Sequence, residues 1–460
     1  MRHRVAGGTA ATRVGVALCL GAVLGVLALS TPAAAGPSAS TPGSSVPNTA
    51  GGVSGKPGYV VYWDQNEEVD FLSMPSGQQG QLLPAWDLNG QVCVLPGGRF
   101  VGGYDPTLPN QHNDGGAKPY KQPPDGEELD EPNGSFSGQT LYVPGSYKMR
   151  GESIGSDSPP TADGVFNNNQ TYTGCAVDAH HNVFAVDIAT AQGAYPPPSD
   201  GRLVEWFAPN YTTSCIVYGP TDGGVGAHHD IGTGGLAQPG TMALAPNGDL
   251  LVPNVGTQSV LRFAAKSLPT SAAQCPNEVY PRSKTRVSTF VGGLTFPAGV
   301  AQDPACGCYA VSSFIGDPSV IWVTADGKPQ PGYGTVPGTP LAQMGKAPNQ
   351  YNPFGLAFAP DGTLYFIDIH IACKAPLVGC GPAGNGGRVM RVDMSNGQPT
   401  APVAVAGGFD FPTSVTVCVP DKTKCPYPTG RIVAPLSGPS ENPAPAVGPK
   451  SDKPATAGFG

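Results

Sequence analysis

The sequence predicts an all-β fold, a six-bladed β-propeller of four-stranded antiparallel blades whose last blade is closed by N-terminal strands. Three observations carry this. A short apolar strand, a tight turn and a second apolar strand recur as GCAVDAHHNVFAVD (174–187), TMALAPNGDLLVPN (241–254) and GLAFAPDGTLYFID (355–368). Similar copies open at residues 92, 299 and 414, and the last four openings, at 241, 299, 355 and 414, are evenly spaced. Long helical periodicity is absent from the chain beyond its first 35 residues. Self-similarity at a fixed period marks a repeat architecture, and four short strands per repeat mark a propeller.

Each element has a local reason. Asn247-Gly248 and Asp361-Gly362 are expected as type I′ hairpin turns, which need positive φ at both central residues, with Pro246 and Pro360 at strand ends, where a missing N–H does little harm. The copy at 299 has Asp303-Pro304 near its turn and 308–312 as its second strand; the copy at 414 has 431–434 as its expected second strand. The first copy reads 92–95, then Pro96-Gly97-Gly98, then 99–105. Third strands fit 202–207, 259–263, 319–323 and 388–392, and fourth strands fit 215–218, 287–291 and 402–405. The last copy lacks strands, while 59–63 and 69–74 precede the first, so the two chain ends are expected to share a blade. Such closure removes exposed sheet edges.

The expected organisation is a signal peptide over 1–35, a disordered linker over 36–57, the propeller over 58–435 with an insertion at about 105–138, and a disordered Pro/Ala/Gly tail over 436–460. Arg2, Arg4 and Arg13 precede an apolar run at 14–29, and Ala33-Ala34-Ala35 offers a cleavage site. A secreted, extracellular protein is expected. Ten of the eleven cysteines lie beyond the signal, which suits disulfides. Cys373–Cys380 and Cys418–Cys425 are expected as local bridges, and Cys93–Cys175 and Cys215–Cys275 as further pairs. Cys306 and Cys308 are too close in sequence for an unstrained bridge and are expected to pair elsewhere. The net charge of −8 and the absence of a basic stripe disfavour nucleic acid.

Second-strand ends and blade-entry loops share one face and ring the channel mouth. There the repeat places Asp105, Asp187, Asn254, Ser312, Asp368 and His370, with Asn168, Asn169, His228, His229, Asp230, Phe296, Tyr351, Asn352 and Phe411. The ligand-binding candidates are Asp187, His228, His229, Asn254, Asn352, Asp368 and His370. Asp187, Asn254 and Asp368 are the candidate metal ligands, with calcium the ion that hard oxygen donors favour. Against this stands the habit of strand-end Asp and Asn of bonding nearby backbone. Adjacent residues on an extended segment point opposite ways, so His228 and His229 do not readily share one metal. His180 and His181 sit in a turn on the opposite face.

The strand motifs and the Gly-Gly-x-x-Phe-Pro entry loops at 292–297 and 407–412 resemble NHL-type repeats and the related SMP-30/gluconolactonase-like six-bladed propellers, over roughly 92–435. In the hydrolytic members, the resemblance implies a divalent cation held partly by residues just before each opening glycine. Thr173, Gly240, Ala298, Phe354 and Thr413 stand there, and none is a carboxylate or an amide. A binding module for a protein, peptide, glycan or small molecule, monomeric and without a membrane span or required cofactor, is therefore favoured over catalysis. The alternatives are a calcium-dependent lactonase or esterase and, after it, a quinoprotein sugar dehydrogenase. The latter needs a catalytic His and a cationic clamp that the motifs do not place together.

Overall fold

The computed structural model describes residues 58–65, 68–83, 90–95, 99–104, 126–130, 140–141, 146–150, 172–187, 201–209, 211, 213–219, 235–315, 319–338, 351–375, 378–382, 386–409, 412–420, 425 and 432–433. The segments expected to be a signal peptide (1–35), a linker (36–57) and a C-terminal tail (436–460) lie outside them.

The architecture is an all-β propeller. The copy at 174 forms one antiparallel sheet of Tyr172–Val177, Val183–Asp187, Arg202–Trp206 and Ser214–Tyr218, in chain order. The copy at 241 forms Ala243–Leu244, Leu250–Asn254, Ser259–Phe263 and Val287–Gly292. The copy at 299 has three strands, Pro297–Gln302, Tyr309–Ser313 and Val320–Val323. The copy at 355 pairs Pro353–Phe358, Leu364–Asp368, Gly387–Val392 and Val403–Phe409.

The fifth sheet joins the chain ends. Val415–Cys418 pairs with Tyr59–Gln65, followed by Glu68–Met74 and Gln78–Leu83. The expected second strand at 431–434 does not take that place. Ile432–Val433 instead pairs with Gln78–Leu83 at the far edge. Tyr59–Gln65 displaces it because its alternating side chains fill both faces. Val60 and Tyr62 pack toward Val92, Leu95 and Val101, while Val61 and Trp63 pack toward Tyr365, Ile367 and Val389. A strand buried on both faces outcompetes the shorter segment.

Five sheets therefore have blade form among the described residues, where six were expected. The first copy forms its hairpin, Cys93–Leu95 with Arg99–Val101, but pairing breaks at Gly102. Gly103–Tyr104 continues into a second sheet with Thr140–Leu141, Ser146–Arg150 and Gly126–Asp130. Gly126–Asp130, inside the expected insertion, is thus a strand, parallel to Ser146–Arg150.

A belt of hydrogen bonds joins the innermost segments. Gln91 N donates to Thr173 O (3.1 Å), and Thr173 Oγ1 to Pro239 O (2.6 Å). Thr241 N donates to Ala298 O (2.8 Å), and Ser312 Oγ to Phe354 O (2.6 Å). Gly355 N donates to Thr413 O (3.1 Å), and Gly90 N to Thr413 Oγ1 (3.1 Å), which returns the belt to its start. The amide of Gln91 also bridges copies. Its Oε1 accepts from Cys175 N and Met242 N, and its Nε2 donates to Met242 O.

This belt explains the glycines that open the copies at 174, 299 and 355, and Gly240, which stands just before the opening Thr241. A Cβ on Gly240 would lie 2.0 Å from Ala298 O; on Gly174, 2.5 Å from Gly240 O; on Gly299, 2.5 Å from Phe354 O. Backbones approach at the axis more closely than any side chain allows.

Four disulfides are present among the described residues: Cys93–Cys175, Cys215–Cys275, Cys418–Cys425 and Cys306–Cys308. The last pair was expected to find other partners. Gly307, at φ +65°, folds the chain back between them and brings their Cα atoms to 5.1 Å. Cys373 and Cys380 stand opposite each other in the hairpin Ile371–Ala375/Val378–Pro382.

Candidate binding site at the channel mouth

The repeat register sets the mouth residues in pairs. Asp187 closes its second strand opposite Arg202, Asn254 opposite Ser259, Ser312 opposite Val320, and Asp368 opposite Arg388. Antiparallel pairing puts the end of a blade's second strand beside the start of its third.

In the copy at 241, Asn254 is buried and used locally. Its Oδ1 accepts from Ala237 N (2.7 Å) and its Nδ2 donates to Thr257 Oγ1 (2.7 Å). Thr257 Oγ1 in turn lies 2.7 Å from Ser259 Oγ. Asn254 thereby ties the blade's entry loop to its own strand end.

The copy at 355 holds the densest group. Asp368 is fully buried. Its Oδ1 accepts from Asn352 N (2.8 Å) and His370 N (3.1 Å). Its Oδ2 pairs with Arg388 through Nε (3.1 Å) and Nη2. Asn352, also fully buried, donates from Nδ2 to Phe314 O (3.0 Å) and accepts at Oδ1 from Ile371 N (2.8 Å). Both side chains clamp the loop that returns the chain to the mouth. The Arg388 guanidinium lies 5.9 Å from the centroid of half-buried Tyr351, within cation–π range.

His370 sits beside this pair at φ +47°, and its Nδ1 is buried without a hydrogen-bond partner. Burial lowers its pKa from the ordinary value; Asp368 opposes that shift and Arg388 adds to it. The imidazole is therefore held toward its neutral form.

The remaining candidates divide simply. Phe296 is buried and packs edge-on against Phe314. Ser312 belongs to the belt. The side chain of Asp187 lies outside the described residues, as do His228, His229, Asp230, Asn168, Asn169, Asp105 and Phe411. The structure thus brings together Asn352, Asp368 and His370, and sets Asn254 in another blade.

The carbonyls of Thr173, Ala298, Phe354 and Thr413, at the positions where metal ligands were sought, all accept bonds in the axial belt. Among the described residues, one trio of His, Cys, Asp or Glu donor atoms falls within 4.8 Å: Asp303, Cys306 and Cys308. It lies at a turn, and its sulfurs are bonded to each other.

Sequence reasoning missed Arg388, the cation that neutralises Asp368. Its signal was available: an Arg opens the third strand in the two copies whose second strand ends in Asp (187/202 and 368/388), and in neither of the copies ending in Asn254 or Ser312.

No family model and no curated protein sequence matches the chain. Solved structures similar to it include a chain of a nidogen/laminin complex, with 11% identity over 78% of this chain and 98% of that one at a TM-score of 0.41. A calcium-binding regucalcin from Agrobacterium tumefaciens has 11% identity over 67% and 77%, at a TM-score of 0.37. A luciferin-regenerating enzyme has 14% identity over 78% and 95%, at a TM-score of 0.37.

Proposed function

We propose that the chain is a secreted recognition module: a ring of six blades, the first copy supplying the sixth, that binds a protein, peptide or glycan through the channel-mouth face. The observation that carries this reading is the internal use of the mouth's oxygen donors. Asn254 and Asn352 bond loop backbone, and Asp368 bonds loop backbone and Arg388. A calcium centre needs six to eight oxygens facing a common point, and a carboxylate already neutralised by a guanidinium is a poor contributor. Ring closure is supported by the belt, which passes through 90–91 between Thr413 and Thr173. Secretion is supported by the disulfides and the N-terminal sequence.

Calcium titration of the purified protein by calorimetry, beside a panel of lactones and esters, tests this. No saturable calcium binding near the micromolar range and no turnover are expected. Saturable binding that is lost in Asp368→Asn, with the melting temperature retained, would replace the recognition reading with a metal-dependent hydrolase.

A further inference from the structure

The turn Asp303–Cys308 sits on the face opposite the mouth, between Pro297–Gln302 and Tyr309–Ser313. The equivalent turns in two other copies are closed without a disulfide, by backbone bonds and by one Asx bond each, Asn247 Oδ1 accepting from Asp249 N and Asp361 Oδ1 from Thr363 N. Ala245 N donates to Asp249 O and Gly248 N to Ala245 O; Ala359 N donates to Thr363 O and Gly362 N to Ala359 O. The Cys306–Cys308 turn has the same closure, Asp303 N to Cys308 O and Gly307 N to Asp303 O, both 2.9 Å, with one residue more. The bridge therefore adds no fold that hydrogen bonding does not already supply. A crosslink between residues 2 apart also removes almost no entropy from the unfolded chain, unlike Cys93–Cys175 or Cys215–Cys275 at separations of 82 and 60.

Its two sulfurs are unequal. Cys306 is half-exposed, and its Sγ accepts from Cys308 N (3.2 Å), a contact that stabilises negative charge on that sulfur. Cys308 is buried, and so is Asp303. The Asp303 carboxylate is fixed by Ala305 N (2.9 Å) and Trp322 Nε1 (3.2 Å), and its oxygen lies within 4.8 Å of both sulfurs. An accessible sulfur, a buried partner and a held carboxylate are the parts of a thiol–disulfide exchange centre.

We propose that Cys306 and Cys308 form a redox site that exchanges with external thiols and disulfides, with Cys306 as the sulfur that meets the partner and Asp303 as the proton acceptor for Cys308. In the oxidising direction, an external dithiol's thiolate attacks Cys306 Sγ, the S–S bond breaks, and its electron pair leaves on Cys308 Sγ, which takes up a proton. The partner's second thiolate then displaces Cys306 and leaves the partner as a disulfide. Two electrons have passed to the protein, which now holds two thiols. In the reverse direction, Cys306 thiolate attacks a partner disulfide and releases one thiolate. Cys308, losing its proton to Asp303, then attacks Cys306 to restore the bridge and release the second.

The test uses the full-length oxidised protein. It is titrated with dithiothreitol, alkylated and mass-mapped, and its melting temperature is followed in parallel. Cys306 and Cys308 are expected to label at a reductant level tenfold or more below that needed for Cys93, Cys175, Cys215 and Cys275, with no change in melting. Selectively reduced protein mixed with an aromatic disulfide should release two equivalents of thiolate and re-form the bridge. Cys308→Ser should release one and stay as the mixed disulfide, and Asp303→Asn should slow the second equivalent alone. Reduction of this bridge together with or after the others would overturn the proposal. So would a loss of melting temperature on its reduction, which would make it a structural staple.

Discussion

At the scale of single residues, the mouth shows how burial decides what a carboxylate does. Asp368 loses its water, and two backbone N–H groups with Arg388 replace that hydration. A contrasting acid lies in the copy at 174. Glu205 is fully buried; its Oε1 accepts from Asn182 Nδ2 (2.9 Å), and its Oε2 is buried without a partner. Burial, with a smaller push from Asp178 and opposed by Asn182, raises its pKa to about 9. A carboxyl whose folded pKa exceeds its unfolded value contributes stability fully below the unfolded value, and loses it as pH rises through the folded one. Wild-type melting temperature should therefore fall progressively from about pH 4.5 to about pH 9. Glu205→Gln should match the wild type at pH 4 and melt higher at pH 8; parallel pH profiles for the two proteins would show that Glu205 is not the source.

At the scale of elements, the strand–turn–strand unit is legible because its causes are local. Asn247-Gly248 and Asp361-Gly362 set the turns, but not as the expected type I′: only Gly248 (φ +83°) and Gly362 (φ +84°) take positive φ, while the Asn247 and Asp361 side chains bond the backbone two residues on. Apolar runs such as Leu364–Asp368, buried throughout, set the strands. The glycines at the axis are a different case, because their reason lies in the neighbouring blade. Gly240→Ala places a methyl against Ala298 O, and that backbone is itself bonded to Thr241 N, so it cannot yield without breaking the belt. The substitution should cost about 3 kcal/mol, at the upper end of ordinary overpacking. A chemical-denaturation midpoint unchanged in Gly240→Ala would show that the blades can separate at the axis at little cost.

At the scale of the whole molecule, the fold depends on joining residues more than 300 positions apart. Tyr62 pairs with Thr416, Tyr59 Oη lies 3.0 Å from Tyr365 Oη, and Ser414 Oγ donates to Gly90 O (3.0 Å). Removing residues 58–74 would strip Val415–Cys418 of its neighbour and uncover both flanking clusters. The truncated chain should lose its cooperative thermal transition and aggregate through the open edge. Retention of a sharp transition near the wild-type temperature would mean that the ring tolerates a gap.

The sequence by itself determined the repeat, the places of the turns and the sharing of a blade by the two chain ends, because turn chemistry and strand periodicity act over a few residues. It also contained the Asp–Arg pairing in alternate-strand positions, although that signal needs the register to be recognised. Tertiary structure decided the rest. Ile432–Val433 went to the sheet edge because Tyr59–Gln65 buries both faces in the inner place. Cys306 found Cys308 because a glycine reversal brought them together. The candidate ligands Asn254, Asn352 and Asp368 became loop clamps because a buried oxygen bonds the nearest N–H, and which N–H is nearest depends on how strands and loops distant in sequence pack.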